Sequence, residues 1–176
     1  MIVSQRAPAE LVIPVDEQVE LRLVHPQMGR EMSALIQANF DHISPWLPWT
    51  AKAGSKEFAV TMNLAMEHGA YVQGRSYPMA IFAEGQLAGA VDIRTVGPAG
   101  EAEIGYWLDK DRTGKGIATR SAACLIEFAR GRHHIPLITI STHKDNVKSI
   151  GVAERLGFTP RDTQSVNVRR FVRSYE

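Results

Sequence analysis

A chain of 176 residues with 44% hydrophobic and 22% charged content has the size of one domain and the composition of an ordinary globular protein. Its net charge of +1 argues against a nucleic-acid partner, and Arg161, Arg169, Arg170 and Arg173 read as a solvated strand face. One cysteine, Cys124, excludes a disulfide framework; with no run of ~18 apolar residues and no basic-then-apolar leader, a cytoplasmic chain without a membrane partner is expected.

Residues 1–18, with Pro8 and Pro14, read as a loose lead-in to a single domain over 19–176. Val19 to Val24 alternates as a first strand. Met28, Met32, Leu35 and Ile36 then recur at helical spacing, and Phe58, Met62, Ala65 and Met66 predict the apolar stripe of a second helix. Between them Pro45 and Pro48 break the chain around Trp46 and Trp49. Pro78 to Glu84 and Leu87 to Arg94 predict a hairpin across Glu84-Gly85-Gln86, which is not a strong two-residue turn. Glu101 to Leu108 is the next strand.

A helix opens near Gly116 and runs to about Arg132, burying Ala118, Ala122, Leu125, Ile126 and Ala129. Leu137 to Thr142 is a β-branched strand, Asp145 or Asn146 caps a short helix ending at Gly157, and Val166 to Val172 closes the chain. Interleaved strands and helices predict an α/β (mixed α+β) fold, a mixed sheet flanked by helices.

Thr113 to Thr119, TGKGIAT, lies between a strand and a helix, where unpaired N–H groups gather and favour an anion. Gly114 and Gly116 let the chain bend and approach a phosphate. The loop is no Walker motif, because Lys115 sits between the glycines, and no dinucleotide fingerprint, because Thr119 stands where a third glycine belongs. An ordinary glycine turn remains the alternative.

G-Y-W-L-D, then G-K-G-I-A-T, then D-N-V-K-S-I-G-V-A-E-R-L-G-F (Asp145 to Phe158) together resemble the GNAT superfamily of acyl-CoA-dependent N-acetyltransferases. That family's Q/R-x-x-G-x-G/A loop falls on Thr113, Gly116 and Ala118, with Thr113 replacing the usual Gln or Arg. His42 to Trp49 (HISPWLPW) is similar to the branch of ribosomal-protein N-terminal acetyltransferases, RimJ and RimL, and the likeness extends from about Val19 to Phe158.

The resemblance implies a mostly antiparallel sheet of six to seven strands with about four helices, acetyl-CoA as co-substrate, no metal, and room for a homodimer. It assigns the donor phosphates to Thr113, Gly114, Lys115, Gly116, Ile117, Ala118 and Thr119, although Lys115 reads equally as a solvated loop lysine. It assigns pantetheine and thioester contacts to Tyr106, Trp107 and Leu108, on a strand that splays from its neighbour. Asn146 and Ser149 match the branch's N-x-x-S, the Asn on the cofactor arm and the Ser beside the departing sulfur. A helix cap and an exposed helix serine are their plain alternatives. Arg155 is expected at the 3′-phosphate end or simply in solvent.

An amine must be neutral to attack. Deprotonation at pH 7 costs about 1 kcal/mol for an α-amine and about 4.6 kcal/mol for a lysine, so an α-amine acetylator manages with a weak base. Glu103 is the best candidate, sharing a strand face with Glu101, Gly105 and Trp107; a surface carboxylate paired with arginine is its alternative. Trp46 and Trp49 form an acceptor wall or close the loop beneath the first helix. Cys124 reads as a packed thiol, no histidines stand at i, i+4, and no G-x-S-x-G elbow occurs.

The expected reaction is therefore acetyl transfer to a primary amine, first a protein N-terminal α-amine. A small amine (antibiotic, polyamine or amino-acid derivative) is the rival acceptor, and a non-catalytic acyl-CoA sensor the rival of another class.

Overall fold

Every second side chain of Val19–Leu23 is buried, and Ala102, Ile104 and Leu108 are buried along Ala102–Leu108; both segments are strands of one eight-stranded sheet. The computed structural model describes residues 10–51, 56–96 and 100–175. The strands are β1 (Val12–Pro14), β2 (Val19–Leu23), β3 (Ser76–Ala83), β4 (Gln86–Thr95), β5 (Ala102–Leu108), β6 (Leu137–His143), β7 (Thr159–Arg161) and β8 (Val168–Ser174). They lie in the order β1-β2-β3-β4-β5-β6-β8-β7. Among the described residues the helices are α1 (Gly29–Ala38), α2 (Phe40–Ile43), α3 (Glu57–Val72), α4 (Ile117–Arg130) and α5 (Val147–Arg155).

The strands exceed the expected six to seven because β1 and β7, three residues each, join the two edges. Such short pieces carry too little alternation to be read from sequence. β1 falls in the expected lead-in, whose residues 1–9 lie outside the described part. Asp16 then closes the turn into β2, accepting from the N–H groups of Gln18 and Val19 at 2.9 Å each. The β3–β4 turn consists of Glu84 (φ +53°) and Gly85 (φ +76°), so it is a left-handed two-residue turn after all. The Arg112 guanidinium pairs with Glu84 and donates to Gln86 Oε1 at 2.8 Å, anchoring the turn to the segment after β5.

The sheet separates two apolar layers. On one face Leu125, Ile126 and Ala129 of α4 and Val152 and Ala153 of α5 pack with Ile81, Val91, Ile93 and Ile104. On the other, Met32 and Ile36 of α1 and Val60 and Leu64 of α3 pack with Ala80, Phe82 and Leu87. The stripe expected on the second helix is corrected here: Phe58, Met62 and Met66 are exposed, while Val60, Leu64 and Tyr71 are buried. This helix has apolar residues on more than one face, so spacing alone cannot choose between them. The choice is made by α1, where Gly29 admits α3 so closely that a Cβ would lie 1.9 Å from Thr61 Oγ1. Every helix is too short or too polar to cross a membrane among the described residues.

All strand pairs are antiparallel except β5–β6, whose parallel pairing is confined to Ala102↔Ile138 and Glu103↔Thr139. Beyond those residues the two strands part. Leu64→Ala should cost about 2–5 kcal/mol in denaturant unfolding, whereas Phe58→Ser should stay within roughly 0.5 kcal/mol of the parent.

Candidate active site

The TGKGIAT segment folds as the sequence suggests. Gly114 (φ +78°) and Gly116 (φ +72°) both take the left-handed conformation, and Gly116 stands at the N-cap of α4. Among the described residues no acceptor is bonded to the N–H groups of Gly114, Lys115, Gly116, Ile117, Ala118 or Thr119. Six consecutive donors at the positive end of a helix form an anion cradle. The cradle is braced from behind by Arg120, which donates to the Lys115 carbonyl at 2.8 Å and pairs with Asp16 at 2.7 Å. Backbone hydrogen bonds from Gln18, together with Arg120, hold the Asp16 carboxyl below its usual pKa. Thr113 donates its hydroxyl to the Lys110 carbonyl at 2.9 Å, so its side chain finishes a turn.

The cradle opens on a cleft of about 1460 Å³ that follows the parting of β5 and β6. A small-ligand pocket usually holds roughly 300–1,000 Å³, so this cleft has room for two reactants. Glu103, Tyr106, Trp107, Leu108, Thr113, Gly114, Gly116, Ile117, Ala118, Thr119, Asn146, Ser149, Arg155, Trp46 and Trp49 all line it. Lys115 does not; its side chain is exposed.

Side-chain alternation on β5 sorts these groups to two sides. Tyr106 packs against the α4 layer and Trp107 against the α1/α3 layer. The Tyr106 hydroxyl lies 2.9 Å from Ser149 Oγ, bridging β5 to α5. Burial raises the Tyr106 pKa, outweighing the Ser149 hydrogen bond and the Arg155 charge. Asn146 caps α5, its Oδ1 accepting from the Ser149 N–H at 3.2 Å, so the capping alternative holds for its carbonyl oxygen. Arg155 donates to Thr119 Oγ1 at 3.4 Å and thereby sits beside the cradle.

On the opposite side Glu103 pairs with Arg94 at 2.9 Å, and Arg94 also holds Asp92 at 2.6 Å. Glu103 is thus both a cleft residue and an arginine-paired carboxylate, with 26% of its side chain exposed. Sequence reasoning missed Asp92, Arg94 and Glu67. The first two were within reach, since the antiparallel register sets Arg94 opposite Glu103 and Asp92 opposite Gly105. Glu67 could not be found, because the spacing of Phe58, Met62 and Met66 marks a face of α3 that the fold leaves exposed. It lines the cleft, accepts from Asn63 at 2.9 Å, and has its pKa raised by burial and by the Asp92 charge. Trp46 is 37% and Trp49 45% exposed at the mouth, Trp46 tilted against the His143 ring at 5.8 Å between centroids. His42, also in the cleft, has its pKa lowered, first by burial and then by Lys148.

Residues 19–159 match the Acetyltransferase (GNAT) domain family. The chain is similar to the putative ribosomal N-acetyltransferase YdaF of Bacillus subtilis, 27% identical over 82% of this chain and 79% of the relative. It is 29% identical to the ribosomal-protein-serine acetyltransferase of Escherichia coli, over 83% and 82% of the two. The fold matches a RimL ribosomal L7/L12 α-N-protein acetyltransferase in complex with coenzyme A, at TM-score 0.86, 24% identity and 93% and 98% coverage. It also matches the microcin C7 self-immunity acetyltransferase MccE in complex with acetyl-CoA and AMP, at TM-score 0.85, 21% identity and 97% and 98% coverage. The chain belongs to the GNAT acetyltransferase family and is an acetyl-CoA-dependent acyltransferase.

In Gly116→Ala the left-handed backbone costs about 1–2 kcal/mol, and the new Cβ would lie 3.0 Å from Arg120 Nη1. The empty variant bend relieves this strain by leaving the left-handed form, so binding must restore it and coenzyme A affinity should fall about tenfold by calorimetry, as about 1.4 kcal/mol is a factor of ten. The raised Glu67 pKa means that the folded state holds this proton more tightly than the unfolded state does. Its contribution therefore turns unfavourable as pH rises from the ordinary carboxylate value of 4.5 through the folded pKa. Glu67→Gln should raise Tm at pH 7, with the gain fading by about pH 4.

Proposed function

We propose that this enzyme acetylates a protein N-terminal α-amine by direct attack on acetyl-CoA. The observation that carries the reading is the alignment of a six-donor phosphate cradle with the β5–β6 gap, and of that gap with an aromatic-walled cleft holding Glu103. The diphosphate lies on the Gly114–Thr119 amides, with Arg155 toward the phosphate end. The pantetheine arm follows the backbone of Tyr106, Trp107 and Leu108 through the gap, Asn146 holding it from α5. Backbone N–H groups freed where the strands part polarise the thioester carbonyl; one such donor contributes roughly 2.7–4 kcal/mol in a preorganised site.

The acceptor enters beside Trp46 and Trp49. Its nitrogen forms the C–N bond, its proton passes to Glu103, and the C–S bond breaks with the electron pair leaving on sulfur. Ser149 then protonates the thiolate. An α-amine suits a base tied to Arg94, because only about 1 kcal/mol of deprotonation is needed at pH 7. Likeness to two ribosomal-protein acetyltransferases supports the protein acceptor and a cytoplasmic setting. A small-amine acceptor is the second reading, favoured by the match to a self-immunity enzyme bound to AMP.

Intact-mass analysis of N-terminal peptides and small amines with acetyl-CoA separates the two, and a 42 Da gain on the peptide α-amine is expected, the mass of an acetyl group less one hydrogen (~42 Da). Glu103→Gln should lower kcat about 10²-fold, at the low end of general-base effects, while coenzyme A affinity is kept. Full kcat in that variant at every pH removes the base assignment, and modification of small amines alone removes the protein acceptor.

A further inference from the structure

We infer that Tyr106 is a positioning residue for the proton donor: its phenol donates to Ser149 Oγ and leaves the serine's own O–H turned toward the departing sulfur. The inference rests on Ser149 acting at that sulfur and adds what makes it able to do so.

A serine in a helix ordinarily turns its hydroxyl back to a carbonyl three or four residues earlier, where the proton is occupied and faces away from any ligand. Ser149 is held otherwise. Its N–H is taken by Asn146 Oδ1 at 3.2 Å, and its Oγ lies 2.9 Å from the Tyr106 hydroxyl, which reaches it across the gap between β5 and α5. The phenol has one proton and two acceptors in reach, Ser149 Oγ at 2.9 Å and the Ser149 carbonyl at 3.3 Å. Either hydroxyl can donate in the 2.9 Å contact; because hydroxyl-to-oxygen bonds run about 2.5–3.0 Å and the carbonyl lies beyond that range, the phenol proton is assigned to Oγ. With a lone pair of Oγ occupied by the phenol, the serine proton is left for another acceptor, and Ser149 lines the cleft where the thioester would lie. Burial keeps the phenol protonated, as the arrangement requires.

The step balances. The C–S bond breaks, the thiolate takes the Ser149 proton, and Oγ recovers one from Tyr106 or directly from solvent once the thiol has left. Because the phenol acts only through the serine, removing it matters only while the serine is present.

Steady-state kinetics of Tyr106→Phe, Ser149→Ala and the double variant test this, with calorimetric coenzyme A affinity and Tm as controls. A well-placed acid contributes about 10²–10⁴-fold, and a thiolate of pKa about 8.5 needs less help than most leaving groups. Tyr106→Phe should therefore lower kcat about tenfold, with KM for acetyl-CoA within about twofold of the parent. In the Ser149→Ala background the same change should cost nothing further. Full kcat in Tyr106→Phe beside an impaired Ser149→Ala overturns the positioning role alone. Losses that multiply in the double variant overturn it as well, as does a matching rise in KM, which marks displacement of α5. A silent Ser149→Ala overturns the serine's role and the inference together.

Discussion

Six consecutive backbone amides of one bend, those of residues 114–119, have no acceptor among the described residues and stand at the positive end of a helix. Gly114 and Gly116 allow the left-handed turns that aim these groups outward rather than into the helix. Nothing on the side chains of the bend needs to be basic for it to favour an anion, and Lys115 is exposed and does not line the cleft. The bend keeps its shape through a chain of polar contacts. Asp16 shapes the turn into β2, pairs with Arg120, and Arg120 holds the Lys115 carbonyl. An acidic residue near the start of the described chain thus fixes a loop a hundred residues later.

A second interruption of hydrogen bonding gives the cradle something to serve. β5 and β6 pair at two positions and then part, freeing the β6-facing backbone of β5. Because successive β5 residues point to opposite faces, one short strand presents side chains to both sides of the sheet. Glu103 meets Arg94 and Trp107 packs on the α1/α3 layer, while Tyr106 faces α5 and Ser149. The gap alone would weaken the sheet. Beside it Tyr106 ties β5 to Ser149 of α5, and α4 and α5 flank it, their buried residues lying in one continuous apolar layer with β5 and β6.

Much of this was legible in the sequence, for identifiable reasons. The strand–bend–helix at TGKGIAT announces itself because its glycines sit where an anion cradle needs them, and the buried stripe of α4 follows from simple periodicity. The Asn146 cap and the odd-numbered face of β5 are likewise local matters. What failed depended on partners distant in sequence. The buried face of α3 is chosen by contact with Gly29, and without that contact Phe58, Met62 and Met66 look as good as Val60 and Leu64. Glu67 was lost with that face. The setting of Glu103 needed the β4–β5 register, which brings Arg94 and Asp92 beside it.

The account stands on main-chain recognition of a diphosphate, and its sharpest test removes the diphosphate from the ligand. Calorimetry should compare coenzyme A with pantetheine, which keeps the thiol arm and lacks the phosphates. Saturable binding of coenzyme A with pantetheine at least about 10²-fold weaker, some 2.7 kcal/mol, is the expected result. Equal affinity for the two, or no association of either with the folded protein, would contradict it.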